Sequence, residues 1–153
     1  MAVDRTDMAI RLSDEARQYI GTFTTATGAT AVDCIIEDHA VVFVVDPDDM
    51  AKAIGPGGET VRALERRLGD DVILIEHADE ATTFVANALT PAAVYGATIE
   101  ERDDVSVAIV RVDPDDMGVA IGRNGARIDR ARRLAARHVG VEEIELVEAT
   151  DRS

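Results

Sequence analysis

The strongest constraint on this chain is a repeat. DPDDMAKAIGPGG at 46–58 returns as DPDDMGVAIGRNG at 113–125, so Asp46 and Asp113, Gly55 and Gly122, and Gly58 and Gly125 each stand 67 residues apart. A chain of 153 residues repeating at that interval reads as two small domains, each closing its own core of about 70 residues. The expected boundary lies at His77 and Ala78, giving domains 1–77 and 78–153 with no long linker between them.

Both halves carry the same order of elements. In the first, Met8, Leu12, Ala16, Tyr19 and Ile20 recur at helical spacing, with a stop expected near Gly21 and loop character over TFTTATGAT at 22–30. AVDCIIE at 31–37 and AVVFVVD at 40–46 flank Asp38 and His39, which predicts a tight antiparallel hairpin. Asp46, Pro47, Asp48 and Asp49 then form a helix start: a side-chain acceptor, a proline at the first helical position and acids at the positive end of the dipole. That helix is short and ends at Gly55; another begins at Glu59 with Val61, Leu64 and Leu68 facing inward, and DVILIE ending at Glu76 is a strand. In the second half Asp79 is the expected cap of a helix bearing Phe84, Val85, Ala88 and Leu89, ended by Thr90 before Pro91. Strands at about 93–100 and 104–112, a short helix from Asp113, a long one from about Ala126 to His138 and the strand EEIELVE complete it. Each half is α-β-β-α-α-β.

The charge is lopsided: 30 Asp and Glu against 16 Lys and Arg, a net of −14, with Lys52 the single lysine. Together with few aromatics this resembles proteins adapted to molar intracellular salt, where screening weakens self-repulsion. With one cysteine, Cys34, no intrachain disulfide can form. Neither an apolar run long enough to span a membrane nor a secretory leader is present, so a cytoplasmic location is expected. A net-acidic chain repels nucleic acid, yet the cations are not spread evenly. Residues 122–138 hold Arg123, Arg127, Arg130, Arg132, Arg133 and Arg137 against Asp129, a local sum of +5 beside one Gly-x-x-Gly. Arg127, Arg130, Arg133 and Arg137 recur at three, three and four, which places them along one side of a helix next to the stripe Ile128, Ala131, Leu134 and Ala135.

A lone Gly-x-x-Gly between helices is usually a C-cap and a turn. Here both copies have Ile before the first Gly (Ile54, Ile121), the same capped helix upstream and a helix immediately downstream. Glycines lacking Cβ let backbone amides approach a ligand, and the next helix offers its N-terminus to an anion.

IGPGGETV at 54–61 and IGRNGARI at 121–128 resemble the signature of KH domains, whose GXXG loop clamps about four backbone nucleotides of single-stranded RNA. The α-β-β-α-α-β order matches their type II form, and FVANALTPAAV at 84–94 resembles the joint between the paired KH domains of the NusA family of transcription factors. The resemblance runs from about residue 8 to 148. It implies an α+β fold of two tandem type II KH domains, each with a three-stranded sheet. By carry-over Gly55, Pro56, Gly57 and Gly58 form the first clamp, and Gly122, Arg123, Asn124 and Gly125 the second. Pro56 and Gly57 supply neither cation nor polar group where the second loop has Arg123 and Asn124, so the second clamp is expected to contribute more. Bases are expected in apolar grooves walled by Ile54 and Val61 in one copy and Ile121 and Ile128 in the other, with Arg127 and Arg130 beside the second. Longer NusA proteins carry a polymerase-binding region and an S1 domain ahead of the KH pair; this chain is expected to be of the short archaeal kind, from a halophile.

The resemblance thus implies a non-enzymatic, monomeric factor that binds single-stranded RNA, acts in transcription elongation, termination or antitermination, and contacts RNA polymerase or other transcription proteins. The alternatives are a KH-fold adaptor docking a protein through its acidic surface, and an RNA-binding factor of ribosome assembly. No cofactor and no membrane partner are expected. The DPDD carboxylates have a sufficient explanation as caps and lack EF-hand spacing. His39, His77 and His138 show no metal-ligand spacing, and neither a Walker loop nor Gly-x-Gly-x-x-Gly occurs.

Overall fold

A computed structural model describes residues 12–150, so Met8 lies outside the described residues. Within it the chain forms two compact units, one up to His77 and one from Ala78. The first contains α1 (Asp14–Thr27), β1 (Ala31–Ile36), β2 (Ala40–Val45), α2 (Met50–Ile54), α3 (Glu59–Leu68) and β3 (Asp71–Glu76). The second contains α4 (Ala81–Ala88), β4 (Val94–Arg102), β5 (Val105–Val112), α5 (Met117–Ile121), α6 (Ala126–Val139) and β6 (Glu143–Glu148). Each unit is α-β-β-α-α-β around a three-stranded sheet in the order β1-β2-β3 or β4-β5-β6. In both, the hairpin pair is antiparallel and the last strand runs parallel to the middle one. The parallel strand needs a crossover, which the two helices supply. It also sets β3 and β6 at one edge of their own sheets, beside α3 and α6.

The DPDD segment does the same work twice. Asp46 Oδ1 accepts the Asp48 amide at 3.0 Å and Asp113 Oδ1 accepts that of Asp115 at 2.8 Å, with proline next in each case. The last Asp of each segment reaches back to the chain entering the first strand: Asp49 Oδ2 accepts the Thr30 amide at 2.9 Å, Asp116 Oδ2 that of Ala93 at 2.8 Å. These carboxylates fix the entry of α2 and α5 onto the sheet.

In the first unit Phe23 and Phe43 stack with centroids 4.5 Å apart, amid Val41, Val45, Ala53 and Leu64. In the second, α4 packs against α6 and β4 with Phe84, Val85 and Ala88 buried, and Phe84 lies 5.4 Å from the His138 ring.

Three local expectations are corrected. The first helix does not stop at Gly21 but runs to Thr27 and ends at left-handed Gly28, whose amide bonds to the Thr24 carbonyl. Burial of Phe23 outweighs the weak helix propensity of the threonines, and Thr27 Oγ1 satisfies the Phe23 carbonyl at 2.8 Å. The N-cap of α4 is Glu80 rather than Asp79; its carboxylate holds the hydroxyls of Thr82 and Thr83. Strand β4 continues past residue 100 to Arg102, because Asp103 and Asp104 both take positive φ (51° and 67°) and make a two-residue hairpin turn.

Candidate nucleic-acid interface

Each Gly-x-x-Gly begins where a short helix is stopped. Gly55 (φ 75°, ψ 169°) ends α2 and Gly122 (φ 80°, ψ 172°) ends α5, in a region open essentially to glycine alone. Space imposes the same choice. A Cβ on Gly55 would lie 2.1 Å from Thr60 Oγ1, and one on Gly122 would lie 2.8 Å from the Arg127 backbone nitrogen. The loop is therefore pressed against the first turn of the next helix with no side chain between. The third residues, Gly57 (φ 61°, ψ 20°) and Asn124 (φ 56°, ψ 26°), are both left-handed, and so are the fourth, Gly58 and Gly125. The two loops share one backbone. Asn124 is thus one of the few side chains that this slot tolerates, besides being an exposed polar group.

The arginines around the second loop are not presented alike. Arg123 and Arg133 are exposed, whereas Arg130 is 8% exposed and does not stand on an open face. Residues four apart share a helix face. Arg127 precedes buried Ala131 by four and Arg130 precedes buried Leu134 by four, so the three-three-four spacing carries the row round onto the core side. Arg127 is half-buried and folds back, its Nη1 donating to the Val119 carbonyl. Its pKa is lowered from the ordinary arginine value, first by burial and then by the charge of Arg130. Of the arginines expected at the interface, Arg123 remains open and Arg130 does not.

Ile54 and Ile121 are 38% and 41% exposed beside their loops. In the second unit Ile121 and Ile128 line a groove of about 570 Å³ between α5, α6 and edge strand β6, although Ile128 itself is only 6% exposed. A concavity of about 510 Å³ in the first unit lies further along, at the C-terminal half of α3 and the start of β3, and is lined by polar residues, among them His39, Arg62, Glu65 and Asp71; Ile54 and Val61 are not part of its lining. α6 has 14 residues and α3 has 10, yet the edge strands enter in the same register: β3 begins opposite Ala40 and β6 opposite Val107, 67 residues apart.

One groove residue falls outside the row chosen from helical spacing. Arg132 crosses from α6 to β6, where its Nη2 donates to the Ile144 carbonyl at 3.1 Å and its Nε stands 2.6 Å from Glu143 Oε1. The 67-residue register pairs it with Glu65, a substitution of opposite charge that is visible in the sequence once the repeat is aligned.

Comparison with known proteins agrees with this geometry. The family model of the NusA-like second KH domain matches residues 81–153, and that of the KH domain matches residues 15–112. The probable transcription termination protein NusA of Halobacterium salinarum is 54% identical over 139 residues, 91% of this chain and 99% of that protein. Its namesake from Halococcus morrhuae is 50% identical over the same shares of the two chains. Both come from halophilic archaea, in keeping with the acidic composition. The crystal structure of APE1850 matches with a TM-score of 0.76 at 29% identity, covering 89% of this chain and 100% of that one. The chain belongs to the NusA-like family of tandem KH-domain proteins.

Proposed function

We propose that this chain is a non-enzymatic factor that binds single-stranded RNA through its Gly-x-x-Gly loops and acts in transcription elongation, termination or antitermination. It works as a monomer in the cytoplasm and contacts RNA polymerase or other transcription proteins. The observation that carries this reading is the shared loop backbone: two loops 67 residues apart adopt the same unusual conformations, each with its first glycine pressed onto the next helix. Such a loop lets main-chain amides meet a sugar-phosphate backbone. The names of the halophilic relatives support the transcriptional role.

At molar salt, phosphate neutralisation adds little affinity. Binding then rests on apolar contact in the grooves, on directed hydrogen bonds and on arginine, which stacks and forks where lysine is a point charge. The second loop, with Arg123 and Asn124, carries more of the affinity than the first. Asp tolerates the left-handed slot at 124, so R123D/N124D leaves the loop backbone in place while reversing its charge. Loss of charge-assisted hydrogen bonds predicts affinity for a mixed-sequence single-stranded RNA about tenfold to a hundredfold lower in molar KCl. Unchanged affinity in a fluorescence titration would overturn the reading.

A further inference from the structure

The register that superposes the two loops also sets Glu65 against Arg132. Each leaves the helix after its loop and meets the second residue of the adjoining edge strand. Glu65 Oε2 accepts the Val72 amide at 3.0 Å; Arg132 Nη2 donates to the Ile144 carbonyl at 3.1 Å. One contact is made twice with the direction of the hydrogen bond reversed. Both side chains line the concave surface between helix and edge strand in their own unit.

The chemistry they offer a ligand is reversed as well. Arginine only donates, and a carboxylate at neutral pH only accepts. Arg132 is held in place, its Nε against Glu143, its Nη2 on the Ile144 carbonyl and its Nη1 3.5 Å from Asp129. Each terminal nitrogen keeps a second N–H, and the side chain is 40% exposed. Glu65 spends one oxygen on the strand and keeps the other. Bases in single-stranded RNA are read on their open edges: arginine forks onto the O6 and N7 acceptors of guanine, and a carboxylate accepts from the amino group of cytosine. A donor opposed to a donor, or an acceptor to an acceptor, leaves a desolvated group unpaired.

Resting on the RNA-binding reading above, we propose that the residue at this position sets the base preference of each unit, and that the two preferences are opposite. The second unit selects a base that presents paired acceptors, guanine foremost. The first selects a base that presents an exocyclic amino group, cytosine foremost.

Selection from a random single-stranded RNA pool by the full chain in molar KCl, followed by sequencing, tests this. Wild-type protein should enrich one guanine position and one amino-base position. R132Q, whose amide both donates and accepts, should lower the guanine preference about tenfold while leaving the amino-base position intact; E65Q should do the converse. Unchanged preferences in both variants would overturn the proposal and leave RNA binding standing. Should R132Q lose its fold, E65Q decides alone, and an undiminished amino-base preference there overturns the proposal. Failure of the wild-type chain to enrich or retain any RNA would instead remove the RNA-binding reading beneath it.

Discussion

The two units hold the same loop backbone under different side chains. Pro56 and Gly57 stand where the second unit has Arg123 and Asn124, yet Gly57 and Asn124 differ by only a few degrees in φ and ψ. Further along the helix the relation changes: Glu65 and Arg132 reach the same strand position with opposite hydrogen-bonding sense, beside concavities of different lining. Backbone geometry is what the repeat keeps, and surface chemistry is what it varies. A loop defined by positive φ and close approach fixes its glycines tightly, while exposed positions on it tolerate many residues.

The equivalence of the two cores can be broken most forcefully at their aromatic centres. Phe23 and Phe84 are both fully buried and both sit on the first described helix of their unit. F23A and F84A should each lower stability by about 3–5 kcal/mol, read from urea unfolding in molar KCl. A mild effect in only one would show that the two helices are not counterparts in packing.

Next in size are the first glycines of the loops. G55A and G122A force a side chain into a glycine-only conformation and against backbone 2.8 Å away. Each should cost about 2–4 kcal/mol. G55A should be the worse, since its Cβ meets Thr60 Oγ1 at 2.1 Å and Thr60 Cβ at 2.6 Å, whereas nothing comes nearer than 2.8 Å to a Cβ on Gly122. Equal or negligible losses in the same unfolding experiment would contradict the packing of loop on helix.

The smallest effect sharpens the comparison. Nothing lies within 4 Å of a Cβ on Gly57, and its φ of 61° suits asparagine. The double change P56R/G57N, which gives the first loop the side chains of the second, should therefore shift stability by no more than about 1 kcal/mol. A larger loss would mean that the shared φ and ψ conceal a difference in loop environment.

Much of this was legible in the residue order. The repeat, the Asp-Pro caps, the glycine stops and the hairpins are local signals, decided by capping geometry and backbone sterics within a few residues. Where local signals were weak, reading them alone misled. The threonines of 22–27 look like a loop, but Phe23 draws them into a helix. Asp79 resembles a cap, yet Glu80 takes the position. The row Arg127, Arg130, Arg133 and Arg137 reads as one side of the helix next to the buried stripe, but Arg130 is itself buried.

Residue order alone is enough for two α-β-β-α-α-β units, each with a Gly-x-x-Gly loop held by a capped helix, because periodicity, caps and glycine conformations are properties of short segments. Three-dimensional packing was needed to show which arginines remain open, that Ile121 and Ile128 line one groove with the edge strand β6, and that Glu65 and Arg132 meet the edge strands in opposite senses. Those outcomes depend on how each helix packs on its sheet, which brings together residues far apart in the chain and divides a single helix between core and solvent.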